Sequence, residues 1–191
     1  MHHLLVVLAA GGGPVFTLAW LVLGFLTPAH DQRGDTISAL AAEGAPLAVP
    51  MVVAFAVQGV GQLALATLTA RRVSAVSASL VVAGLGTLLA GAFRVPDDGS
   101  AATVHTLAAT AAFGGLHLAA VAGALSRSLP RALRVGAVVA LVVALPHTTW
   151  FVVQLDDPGP WFGYAEKAFT TALLAWTTAV AVYIGSLITQ E

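Results

Sequence analysis

The 191-residue chain contains no cysteine, so disulfides, thiolate metal ligands and thiol nucleophiles are all excluded. Charge is nearly as scarce. Charged residues make up 9% of the chain against 58% hydrophobic residues, too little polar surface to cover a soluble fold of this size. The net charge is -1 and there is no basic stripe, which argues against a nucleic-acid partner. Lysine occurs once beside seven arginines, in a background rich in alanine, valine and glycine, a composition associated with bacteria of GC-rich codon usage. Neither an internal repeat nor a low-complexity tract is evident.

Six long apolar runs fill the chain, at about 3–27, 47–70, 74–93, 104–125, 133–154 and 163–188. Each reaches the roughly 20 residues that an α-helix needs to cross a bilayer at about 1.5 Å per residue. The expected fold is therefore all-α: a polytopic transmembrane bundle of six helices forming a single domain over 1–191. The first run has no basic leading segment and exceeds the apolar core of a signal peptide, so it is read as a retained span.

The few charges set the orientation. Five of the eight basic residues, Arg71, Arg72, Arg127, Arg131 and Arg134, lie in or beside two gaps, and eight of the nine acidic residues, Asp31, Asp35, Glu43, Asp97, Asp98, Asp156, Asp157 and Glu166, lie in or beside the other three. Arginine-rich loops stay on the cytoplasmic side, which puts the acidic loops outside and both termini in the cytoplasm of a multi-pass cell-membrane protein.

Several segments have ordinary explanations. Gly11 to Pro14 weaken the first helix, and the pairs Gly59 with Gly61, Gly84 with Gly86 and Gly114 with Gly115 suit close helix packing. Asp35 is placed to cap a short interfacial helix through Leu40, ended by Gly44 and Pro46. Gln58 and Gln62 share one face of the second span. Gln58 sits about 17 Å below the outer boundary, where an amide needs a partner inside the bundle.

Other residues invite chemistry. Asp97 or Asp98 beside His105 pairs carboxylate with imidazole, a combination able to hold a divalent cation or move protons. His147, Trp150 and Gln154 form a stripe on the fifth span, next to a kink expected at Pro146. Glu166 and Lys167 are adjacent, hence about 100° apart on a helix, and are expected to pair with other segments. Haem is disfavoured as a cofactor because His105, His147 and His117 fall at different depths, roughly 2, 10 and 20 Å.

Taken in order, Gly13-Pro14, Asp35-x-x-Ser38-x-Leu40, Phe93-Arg-Val-Pro96-Asp97, His105 and Glu166-Lys167 resemble the bacterial family catalogued as domain of unknown function 998. The resemblance implies a six-span membrane protein and no particular reaction. It also implies an arginine beside the glutamate, where this chain has Lys167. The expected site is an outward-facing polar pocket built from Asp35, Ser38, Asp97, Asp98, His105, Glu166 and Lys167, with Gln58 and His147 below. It would bind a membrane lipid or isoprenoid headgroup, or a cation at Asp97 and His105. The alternatives are an intramembrane lipid- or isoprenoid-modifying enzyme and an accessory or small-molecule transport protein. Ser38 lacks the flanking pattern of a nucleophile elbow. Nothing in the sequence points to a protein partner.

Overall fold

A computed structural model describes residues 2–96 and 102–188. Asp97 and Asp98, with the cation site expected at Asp97, lie outside the described residues. Six α-helices follow one another: α1 His2–Leu26, α2 Ala48–Thr69, α3 Ser74–Ala92, α4 Thr103–Leu125, α5 Arg131–Val153 and α6 Phe162–Ile188. Every one is long and apolar enough to cross a membrane, and the chain is a multi-pass membrane protein. The spans read from hydropathy agree with the observed ends to within about two residues.

Each helix packs on its sequence neighbours, and α6 closes the ring against α1. Helix α6 also reaches α4 and α2, which brings it nearest the bundle centre. Leu173, Val180 and Ala181 of α6 are fully enclosed. Burial from water does not drive such packing within a bilayer; close van der Waals fit does. The α3–α4 contact illustrates it: a Cβ on Gly86 would lie 2.7 Å from the Ala108 carbonyl oxygen, and one on Gly115 would lie 2.8 Å from that of Ser79. Helix α1 continues through Pro14 and α5 through Pro146, so neither expected weak point ends its helix.

The connections 70–73 and 126–130, which carry Arg71, Arg72 and Arg127, lie at one end of the bundle, and Arg33 and Arg94 lie in connections at the other. At the opposite end, here the loop end, the 27–47 segment folds over the helix termini. Its 3-10 helix, Ser38–Ala41, sinks Leu40 and Ala41 into the core beside Ile37. Gly44 adopts a left-handed conformation, φ 79°, and turns the chain into α2, as the glycine–proline stop predicts.

Candidate functional site

The start of α6 holds the 27–47 segment in place. A helix N-terminus leaves backbone N–H groups without intrahelical partners, and here the loop supplies acceptors. The Gly163 N–H donates to the Gly34 carbonyl at 3.1 Å and the Tyr164 N–H to that of Arg33 at 2.8 Å. One turn on, Glu166 Oε2 accepts the Ile37 N–H at 2.6 Å, while Lys167 Nζ donates to the carbonyls of Gln32 at 3.0 Å and Asp35 at 2.6 Å. Both side chains are buried, and both reach away from each other into the loop, as their angular offset requires. Only glycine fits at 163, because a Cβ there would collide with the Asp35 backbone.

The clamp presents Ser38 to α4. His105 Nε2 lies 2.9 Å from Ser38 Oγ, and its Nδ1 lies 3.0 Å from the Ala90 carbonyl and 2.9 Å from that of Phe93. Those carbonyls belong to the last turn of α3 and its cap, where helical partners run out. A carbonyl only accepts, so Nδ1 carries a proton; in the neutral ring Nε2 is then the acceptor and the Ser38 hydroxyl donates to it. The histidine is buried and Ser38 half-buried.

Two cavities meet at Ser38 and Glu166. The inner one is a chamber of about 30 Å³ with mainly apolar walls, Phe16, Phe55 and Leu116 among them, into which Gln58, Gln62, Thr87 and Thr170 are set. The Thr87 hydroxyl donates to Gln62 Oε1 at 3.0 Å, but Gln58 Oε1, Gln62 Nε2 and Thr170 Oγ1 are buried without a hydrogen-bond partner among the described residues. The outer one is a groove of about 540 Å³ between α4, α5 and α6, with His105 and Thr36 at its head. Phe113, Phe151, Phe162 and Phe169 line its body in an edge-to-face and stacked cluster, Phe151 and Phe162 at 4.4 Å between ring centres. Leu145, Val152 and Leu155 line its α5 side and are half exposed on the apolar perimeter, so the groove opens sideways between α4 and α5.

The family described as "Protein of unknown function (DUF998)" matches residues 10–183. The chain belongs to this family. No curated protein and no solved structure matches it.

This DUF998 protein brings together Ser38, His105 and Glu166, with Gln58 on the chamber beneath them. Lys167 stands behind as part of the clamp, 5.9 Å from the Trp20 ring. Two expected members of the pocket are elsewhere. Asp35 contributes its carbonyl to the clamp, while its carboxylate faces outward, accepts the Asp31 N–H at 2.8 Å and lies 3.7 Å from His30. Nor does Asp35 cap the short helix: Ile37 occupies the cap, and the Thr36 side chain accepts the Ala39 N–H at 3.2 Å. His147 lines neither cavity; its Nδ1–H donates to the Val143 carbonyl at 2.8 Å and its ring packs 5.9 Å from that of Tyr164. Both ring nitrogens of His105 are engaged, so a cation there would have to displace Ser38 or the α3 carbonyls.

His117 also lines the groove, although taken singly it offers only an unmatched depth for haem ligation. Its Nε2 lies 3.0 Å from Thr148 Oγ1 of α5. Thr106, Thr110, Phe113 and His117, at spacings i, i+4, i+7 and i+11, mark one stripe of α4 that faces the groove. That spacing was visible in the sequence.

Proposed function

We propose that this protein binds one membrane lipid or isoprenoid in the sideways-opening groove, chain among the phenylalanines and headgroup toward Ser38, His105 and Glu166. The supporting observation is the groove itself: polar at its head, aromatic along its body and open to the apolar perimeter. Its volume of about 540 Å³ falls within the roughly 300–1,000 Å³ of small-molecule sites. The lipid reading is favoured over the cation reading by the prior commitment of both His105 nitrogens. The arginine distribution supports placing the loop end on the outer face of a cell membrane, with the groove head at outer-leaflet headgroup level.

Native mass spectrometry of the detergent-purified protein tests this. The expected spectrum shows one retained lipid per chain. Gly114→Phe fills the groove from a position whose Cβ meets nothing within 4 Å, so the fold should persist while lipid occupancy falls at least about tenfold. Equal occupancy in the variant, or a wild-type protein free of lipid, would overturn the reading.

A further inference from the structure

From the Ser38–His105 pair and the two cavities that meet at Ser38, we infer that this protein hydrolyses the ester bond of the lipid it binds, with Ser38 as nucleophile. The inference rests on the lipid-binding reading above and adds the bond that is broken.

Nucleophilic serine catalysis needs a hydroxyl hydrogen-bonded to a base whose other face is held by a third group. Here the base is His105 at 2.9 Å, and the third group is the pair of α3 carbonyls of Ala90 and Phe93, which hold Nδ1 protonated and direct the Nε2 lone pair at Ser38. Those carbonyls fix the ring orientation as a carboxylate does in other serine enzymes, without its charge. Thr36 shares the groove wall; its oxygen accepts the Ala39 N–H, and its own proton is left to donate to a developing oxyanion.

The second observation is the chamber on the far side of Ser38. Three polar atoms without a partner among the described residues, Gln58 Oε1, Gln62 Nε2 and Thr170 Oγ1, sit on residues more than nine-tenths buried around a space large enough for at least one water. The volume admits a water molecule, and the amide and hydroxyl groups set into its wall are of the kind that hold one. Ser38 thus stands between the groove proposed for the lipid and a chamber of water size, and ester hydrolysis needs both reactants.

The steps balance. Ser38 Oγ bonds to the ester carbonyl carbon as its proton passes to His105 Nε2; the carbon–oxygen bond to the alcohol then breaks and that proton goes to the departing alkoxide. Water adds to the acyl-Ser38, giving a proton to Nε2. The Ser38–acyl bond breaks, the proton returns to Oγ, and a free carboxylic acid leaves.

The test uses the full chain in detergent micelles with a long-chain alkyl fluorophosphonate, which phosphonylates an activated serine with loss of fluoride, followed by peptide mass spectrometry. The expected result is a covalent adduct on Ser38, abolished by Ser38→Ala and formed roughly 10²- to 10⁴-fold more slowly by His105→Gln, whose amide can still donate to the α3 carbonyls. Gly114→Phe should slow the long-chain probe more than a short-chain one. A merely structural Ser38–His105 bond would move the melting temperature and leave no adduct. An unlabelled Ser38 in folded protein that still carries lipid overturns the hydrolase and spares the binding reading; an unlabelled Ser38 in folded protein without lipid overturns both.

Discussion

Replacing Gly163 by alanine asks how firmly α6 holds the loop that carries Ser38. The new Cβ would occupy the place of the Asp35 backbone, which is not a flexible side chain and has to retreat with the segment around it. Retreat breaks the Gly163–Gly34 and Tyr164–Arg33 bonds, each worth about 1 kcal/mol net, and stretches the charge-assisted Lys167–Asp35 bond, worth about 1.5–3 kcal/mol. The closed loop therefore loses about 3–4 kcal/mol, which corresponds to a roughly 100- to 1,000-fold larger open fraction. The absence of cysteine makes the assay clean: Ala41→Cys places a lone thiol at a position only 2% exposed. When the loop recloses faster than the reagent reacts, the maleimide rate reports the open fraction, and Gly163→Ala should raise it by that factor. Gly11→Ala, whose Cβ meets nothing within 4 Å, is the control and should leave the rate unchanged. Unchanged labelling in Gly163→Ala, with circular dichroism and elution intact, would refute the clamp.

Two further predictions concern the same loop. Lys167→Met leaves the Gln32 and Asp35 carbonyls without their donor and should cost about 2–4 kcal/mol, lowering the detergent melting temperature by several degrees, whereas Lys167→Arg should retain most of the stability; equal shifts for the two variants would show that the donors are not what matters. His30 has its imidazole pKa held below the ordinary 6.5, first by burial and then by Lys167, with Asp35 and Asp31 opposing. The open loop then binds the proton more readily than the closed one, so its stabilisation is complete above pH 6.5 and declines as pH falls through the lowered value. Amide protection factors over residues 30–41 should accordingly drop between pH 7.5 and pH 5, and His30→Gln should flatten the change; a rise on acidification would contradict the assignment.

Hydropathy located six spans because a bilayer forces every backbone group into helical bonds and leaves apolar length as the main variable. The divergence of Glu166 and Lys167 followed equally from helical geometry, although which loop atoms they reach did not. Asp35 misled because capping propensity is a local rule, and the local rule yielded to the carbonyl–lysine contact and the turn with Asp31. His147 misled for another reason: polar residues on one stripe of a single helix share a face, but the sequence does not say which neighbour that face meets. The Ser38–His105 bond joins residues 67 apart through a loop whose seat is set by a third segment, so no spacing in the sequence announces it.

By itself the sequence determined that the protein lives in a membrane, how many times it crosses, and where each helix ends. Those properties depend on composition and period along a single segment. The tertiary structure alone decided that a loop from the first connection is pinned by the last helix against the fourth, creating the serine–histidine pair and the groove beside it. Such contacts arise from the close fit of several surfaces at once, and the fit belongs to the assembled bundle.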